Sequence, residues 1–348
     1  MIINLAKTEI IHFVGIGGIG MSGLAIIMKG LGFNVQGSDL NPNKNIERLK
    51  KNKIKVFIGH KKENISNTTI LVVSSAINKN NVELILARKK KLPIYQRGDM
   101  LAHIVSLIKK NVVVSGSHGK TTTTSLVSGI FSKAKLDPTV INGGVINSFK
   151  NSAKLGKSNW CLIESDESDG SFLKVSPTYS IVTNIDKEHM DHYKNLNSLK
   201  KSFIEFIEKT PSFGKSIICI DDKNNNEIIK KINVKNYLTY GTNKKSNFRI
   251  NNIIQNKEFS SFDLDINLPG KRSFSIKKIK IPLLGLHNIR NAAASAAICK
   301  IIGISSVLIK KGLNEFAGVE RRFNKIKFYR GSLIFDDYAH HPTEIKEV

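Results

Sequence analysis

The stretch Asn111-Val-Val-Val-Ser-Gly-Ser-His-Gly-Lys-Thr-Thr-Thr-Thr124 decides how the chain is read. Three consecutive valines make a short apolar run, a glycine-bounded turn follows, and a threonine-rich helical stretch comes next. An apolar run of that length between turn signals reads as a buried strand of a parallel sheet. A turn joining such a strand to a helix aims backbone N–H groups at a phosphate. In that setting Lys120 contacts the β- and γ-phosphates of a nucleotide and the Thr121 hydroxyl faces Mg²⁺. Gly116, Ser117, His118, Gly119 and Thr122 complete the cradle. Five residues before Gly119 stands Val114 rather than glycine, so the loop is a shortened Gly-x-x-Gly-Lys-Thr form. A chance Gly-Lys-Thr does not require a strand before it and a helix after it.

Upstream the same strand–turn–helix grammar recurs. Residues 10–14 are apolar, Gly15-Ile-Gly17-Gly18-Ile-Gly20 matches G-x-G-x-x-G, and residues 21–31 are helical in pattern. Glycines at these positions let the backbone approach a diphosphate. Asp39 ends the next strand, where an acidic residue of a Rossmann-type unit grips a ribose. Taken alone, this motif leaves an NAD(P)-dependent oxidoreductase open. Short apolar runs at 70–74 and 92–95 continue the doubly wound pattern. A second unit starts at Asn111, with later strands at 161–164, 180–184 and 216–220. Residues 248–254, 260–267 and 273–281 alternate apolar and polar positions, as antiparallel strands do. Helices follow at 288–302 and 305–316, and two further strands at 325–328 and 333–336. The expected fold is therefore α/β, with a Rossmann-like N-terminal domain (1–106) and a central P-loop-type ATPase domain with an added antiparallel β portion (107–318). Residues 319–348 start a third segment.

Composition narrows the function. The 348 residues include 54 Lys and Arg against 28 Asp and Glu, a formal charge of +26. Basic surfaces gain affinity for nucleic acid by releasing counterions. Only nine of the cations are Arg, however, and Lys is scattered among abundant Asn and Ile rather than gathered in a patch, which argues against a nucleic-acid partner. No window approaches the ~18 apolar residues of a membrane span; the richest, 292–304, contains Lys300. The N-terminus lacks the pattern of a secretory signal, so a cytoplasmic location is expected. Cys161, Cys219 and Cys299 are odd in number and far apart, with no metal or disulfide spacing.

Four more segments carry chemistry-bearing residues. Glu164-Ser-Asp166-Glu167-Ser-Asp169 places carboxylates at a strand end, suited to Mg²⁺ on a nucleotide phosphate or, more plainly, to a solvated acidic loop. Asp186-Lys-Glu188-His189-Met-Asp191-His192 brings imidazoles to the same sheet edge. His287 and Asn288 open the small-residue helix, where Asn also serves as an ordinary cap. Arg321-Arg322 offers a planar donor fork able to neutralise a transferring phosphoryl group. Asp336-Asp337-Tyr338-Ala-His340-His341-Pro342-Thr343-Glu344 then concentrates acids and imidazoles immediately after a strand.

The order of these motifs, from Ile11 to the last residue, resembles the Mur ligase family. The resemblance implies that Gly15, Gly17, Gly18, Gly20 and Asp39 bind the UDP part of UDP-N-acetylmuramate rather than NAD. It implies ATP and Mg²⁺ as cofactors in the central domain. Lys120 and Thr121 would hold the ATP phosphates and Mg²⁺, Glu164 and His189 would ligate the metal, and His287 and Asn288 would meet the adenine. Arg322 would reach the γ-phosphate and Asp337 the ribose, while His340 and His341 receive no role. Lys120, His189 and Arg322 are the residues expected to carry catalysis. The implied reaction phosphorylates the lactyl carboxylate of UDP-N-acetylmuramate, and the amine of L-alanine then attacks the acyl phosphate. A related ligase that recycles a tripeptide onto the same sugar and a nucleotide-binding regulatory module are the rival readings beside the oxidoreductase. The resemblance also implies that residues 319–348 begin a third, Rossmann-like domain, and family members continue for most of another domain beyond the Asp-Asp-Tyr segment. An incomplete third domain is therefore expected, with Ile326, Phe328, Ile334 and Phe335 exposed and negligible alanine ligation by these residues alone.

Overall fold

The computed structural model describes residues 5–348. The first layer is built from β1 (Ile10–Val14), α1 (Ile19–Gly30), β2 (Asn34–Asp39), α2 (Lys44–Lys51), β3 (Lys55–Ile58), β4 (Ile70–Val73), α3 (Val82–Lys89), β5 (Ile94–Gln96) and α4 (Arg97–Ser106). Its five strands are all parallel, in the order β3-β2-β1-β4-β5. The chain turns back at β1, so the loops after β1 and β4 diverge and leave a crevice at their carboxyl ends. The Gly15–Gly20 loop sits there.

The second layer contains β6 (Lys110–Ser115), α5 (Lys120–Lys133), β7 (Thr139–Ile146), β8 (Asn151–Lys154), β9 (Trp160–Glu164), β10 (Tyr179–Val182), α6 (Met190–Tyr193), α7 (Leu196–Glu208), β11 (Lys215–Cys219), α8 (Lys223–Ile229) and β12 (Tyr237–Gly241). It continues through β13 (Phe248–Gln255), β14 (Ser260–Ile266), β15 (Phe274–Ile281), α9 (Leu286–Ile302) and α10 (Ser306–Asn314). The ten strands form one sheet ordered β15-β14-β13-β12-β11-β10-β6-β9-β7-β8. Strands from β13 to β7 run parallel, and the antiparallel pairs β13–β14, β14–β15 and β7–β8 close its two ends. The alternating strands expected at 248–281 are therefore a continuation of the nucleotide sheet. β3, β7, β8 and β12 do not appear in the sequence reading. In β7 the central Gly143-Gly144 interrupts the apolar run, and polar Asn151 and Ser152 disguise β8 as a loop.

The two layers share a core. Ile11 and Phe13 of β1 and Leu24 and Ile27 of α1 belong to the same buried cluster as Val113, Ile163, Phe172 and Phe203. α1 lies so close to β8 that a Cβ on Gly23 would stand 3.1 Å from that of Ala153. A third, separate two-stranded sheet pairs β16 (Asn324–Tyr329) with β17 (Ser332–Asp336) and leads to α11 (Pro342–Glu347). Ile326, Phe328, Ile334 and Phe335 on this hairpin are exposed, as the sequence predicts. Among the described residues no helix is long and apolar enough to cross a membrane.

α2, α3, α7, α8, α10 and α11 begin at Asn43, Asn81, Asn195, Asp222, Ser305 and His341, whose side chains accept from first-turn N–H groups. α1, α5 and α9 begin at Gly18, Gly119 and Gly285 and have no side-chain cap. These three are the helices on which the sequence places ligand contacts.

Candidate active site

The loop between β6 and α5 is held by the segment after β10. Thr183 Oγ1 donates to the His118 carbonyl at 2.7 Å, the His118 amide donates to Asn184 Oδ1 at 2.9 Å, and the Asp186 amide donates to Ser117 Oγ at 2.8 Å. Gly116 has φ +133, and a Cβ there would meet Thr183 Oγ1 at 2.1 Å, so no larger residue fits. Lys120 folds back over this loop. Its ammonium donates to the Ser117 carbonyl at 3.1 Å and to Glu167 Oε2 at 2.8 Å, with Asp166 at 3.8 Å. Burial disfavours the Lys120 charge, but Glu167 and Asp166 outweigh it and hold the ammonium protonated above its usual range.

The expected metal ligands, Thr121, Glu164 and His189, fall into two groups. Thr121 Oγ1 donates to Glu164 Oε1 at 3.0 Å, and the Gly143 amide donates to Glu164 Oε2 at 2.6 Å. Glu167, fully buried, is the carboxylate that faces His189, with Oε1 at 3.7 Å from Nε2. Asp166, Glu167 and His189 each offer one ligand atom within 4.8 Å of the others, and Glu164 is not among them. Spacing alone does not separate the two glutamates; the turn after β9 folds Glu167 back toward the loop. Glu167 Oε1 is buried without a hydrogen-bond partner.

A cavity of about 570 Å³ opens beside the loop. His118, Gly119 and Thr122 line one side, His287 and Asn288 another, and Arg322 and Asp337 a third. Seven residues named from four distant motifs thus meet around one space. The cavity wall also holds Asn291, Arg290 and Asp221, which the sequence reading leaves unassigned. Arg290 Nε donates to Asp221 Oδ2 at 3.0 Å. Asp337 is more occupied than expected, since its carboxylate accepts from the amides of Phe323 and Ala339, both at 2.7 Å. Burial lowers the His287 imidazole below its ordinary value, despite Glu347 nearby.

The first-layer loop is ordered by β2. The Ser38 carbonyl accepts from Gly15 N at 2.9 Å and Ile16 N at 3.0 Å, while Asp39 Oδ2 accepts from Gly17 N at 2.7 Å. One oxygen of Asp39 is thus engaged with the glycine loop itself. Arg97 spans the layers. A Cβ on Gly20 would lie 3.4 Å from its Cδ, and its Nη2 donates to Ser171 Oγ at 3.4 Å, just past the Asp166–Asp169 turn.

Comparison with known proteins agrees with this geometry. The catalytic-domain description of the Mur ligase family matches residues 10–109, and the Mur ligase middle domain matches residues 114–299. A protein named UDP-N-acetylmuramate–L-alanine ligase from Pelagibacter ubique (strain HTCC1062) is 68% identical over all 348 residues, which cover 75% of its length. The crystal structure of a UDP-N-acetylmuramate–alanine ligase from Thermotoga maritima superposes with a TM-score of 0.84 at 29% identity, over 97% of this chain and 76% of that one. A murein peptide ligase from Psychrobacter arcticus superposes at 0.80 over 97% and 74% of the two chains; at 24% identity it speaks for the fold alone. With two matched domains, a full-length relative and the motif residues gathered around one cavity, the chain belongs to the Mur ligase family.

Proposed function

We propose that the protein joins L-alanine to the lactyl carboxylate of UDP-N-acetylmuramate with cleavage of ATP, a step of peptidoglycan precursor synthesis in the cytoplasm. The observation that carries this reading is Arg97. It links the glycine loop of the first layer to the acidic turn beside the Gly-Lys-Thr loop, so a sugar nucleotide and a triphosphate on the two loops face each other. The 68% identity to a ligase of that name supports the choice of amino acid over the tripeptide-recycling alternative.

The chemistry rests on positioning and charge neutralisation. The uncapped N-terminus of α1 takes the UDP diphosphate, and that of α5 takes the ATP phosphates. Lys120, kept protonated by Glu167, compensates charge as the γ-phosphoryl group passes to the lactyl carboxylate. Arg322 enters from the segment after α10 and meets the same phosphoryl group. His287 and Asn288 hold the adenine side of the cavity. The amine of L-alanine attacks the acyl phosphate and inorganic phosphate leaves, so no protein nucleophile takes part. A divalent ion fits the buried Glu167 oxygen without a partner, together with Asp166 and His189. The two carboxylates of this set suit Mg²⁺, which would neutralise charge on the nucleotide phosphates.

Phosphate release by the protein as encoded tests the reading. Release that requires ATP, UDP-N-acetylmuramate and L-alanine together is expected. Preferential turnover of a tripeptide, or stabilisation by NAD(P) in place of the UDP sugar, would sink it.

A further inference from the structure

A second cluster of ligand-type side chains stands apart from Asp166, Glu167 and His189. His118 lies on the loop after β6, Glu188 on the loop after β10, and His341 at the start of α11. One ligand atom of each lies within 4.8 Å of the other two. His341 Nδ1 is 3.5 Å from Glu188 Oε1, and the two imidazole ring centres are 5.2 Å apart. A tetrahedral ion with bonds near 2.0 Å places its donors roughly 3.3 Å from one another, so small side-chain rotations close this group onto an ion.

The donor types select the ion. Two imidazoles with one carboxylate are ligands of zinc-class metals, whereas Mg²⁺ prefers oxygen throughout. The surroundings match as well. Nε2 of His118 contacts Asp186 at 3.0 Å and Nδ1 contacts Glu344 at 3.4 Å. An ion on either ring nitrogen displaces that nitrogen's carboxylate, and the other carboxylate then holds the opposite nitrogen, as outer-shell partners of ligating histidines do. Asp186 is itself fixed by Thr343 Oγ1 at 2.7 Å. Three carboxylates (Asp186, Glu188 and Glu344) surround two imidazoles, and Arg322 stands 4.0 Å from Glu344. Burial disfavours a charge on His118, yet Glu344 and Asp186 push its imidazole up to about 9. An ion bound here takes the place of that proton.

We propose that His118, Glu188 and His341 form a site for a zinc-class divalent ion, separate from the magnesium group, whose occupancy ties the segment carrying α11 to the loops after β6 and β10. The proposal does not depend on which amino acid the protein ligates.

Calorimetric titration with Zn²⁺ in saturating Mg²⁺ tests it, with Co²⁺ absorption as a second readout of the coordination sphere. One ion per chain is expected, with visible Co²⁺ bands that Zn²⁺ abolishes. His341→Ala should weaken binding by at least about 100-fold and Asp186→Asn by about 10- to 100-fold. Glu188→Gln, a near-isosteric change, serves if His341→Ala fails to fold, and it should also remove the tight site. Glu167→Gln should leave the Zn²⁺ affinity unchanged. Absence of a stoichiometric site overturns the proposal, as does wild-type affinity in both His341→Ala and Glu188→Gln. Loss of the site in Glu167→Gln overturns it too, since the ion would then sit in the other cluster.

Discussion

Glu83 is a fully buried carboxylate on α3 around which the β2 end of the first layer is organised. It accepts from Ser38 Oγ at 2.6 Å and Asn64 Nδ2 at 2.6 Å, and stands 3.1 Å from His60 Nδ1 and 3.6 Å from His12 Nε2. Burial alone would raise its pKa. The hydrogen bonds from His12, Ser38 and Asn64 outweigh that and hold the carboxyl down at about 2 instead of 4.5. A shift from 4.5 to about 2 corresponds to roughly 3 kcal/mol of stability, at about 1.4 kcal/mol per pH unit. Because the folded-state value is the lower one, this contribution is complete above pH 4.5 and disappears as the pH falls through about 2. Glu83→Gln keeps an acceptor oxygen and removes the charge. It should lower stability by roughly 3 kcal/mol near pH 6 and by almost nothing near pH 2. Urea unfolding of the first layer, followed by amide exchange at a series of pH values, reads the difference. Since the Ser38 carbonyl holds Gly15 and Ile16, the same substitution should weaken UDP-N-acetylmuramate binding and spare ATP. A stability difference that does not vary with pH would refute the account, because the carboxylate charge would then not be what its partners stabilise.

Three other expectations follow from the sites. Lys120→Ala should lower turnover by about 10²-fold or more while UDP-N-acetylmuramate affinity holds, as measured by phosphate release and calorimetry. A side chain at Gly17 would meet Asn43 Nδ2 at 2.6 Å and Asp39 Oδ2 at 2.8 Å, so Gly17→Val should cut UDP-sugar binding with ATP binding unchanged in calorimetric titration. Glu167→Gln should raise the Mg²⁺ concentration needed for half-maximal turnover, and Glu164→Gln should do so far less; the opposite ranking would return the metal to Glu164.

What was legible in the sequence is the part that local chemistry writes. β6 and β9 hold uninterrupted apolar runs at 112–114 and 160–163, β1 is broken only by His12, and the glycine turns after β1 and β6 announce themselves by the strand and helix that flank them. The gathering of His118, His287, Asn288, Arg322 and Asp337 around one cavity was reachable only through the order of motifs, since more than 200 positions separate His118 from Asp337. What was not legible depends on close approach. β7 hides because Gly143 must let its amide reach Glu164 and Gly144 must pass Thr121, whose Cγ2 would lie 2.8 Å from an added Cβ. The choice between Glu164 and Glu167 turns on how the Asp166–Asp169 segment folds back, and Asp39 on a hydrogen bond to a backbone amide. Neither leaves a trace in composition or periodicity.

The contrast between capped and uncapped helices links these observations. A side-chain cap contributes about 1 kcal/mol, and six of the described helices have one. α1, α5 and α9 do without, and in each the first turn faces a loop where the sequence places a ligand. The unliganded loops are nonetheless compensated by carboxylates of the chain itself. Asp39 takes the Gly17 amide, and Glu167 takes the Lys120 ammonium. An incoming diphosphate or triphosphate therefore exchanges one anion for another at each loop and does not meet bare donors. The exchange favours the phosphates because each brings several oxygens to a set of N–H groups that one carboxylate oxygen only partly satisfies. Released from Lys120, Glu167 has both oxygens available beside Asp166 and His189. On the proposed reading, nucleotide entry would thereby free Glu167 beside Asp166 and His189, the donor set assigned to the divalent ion.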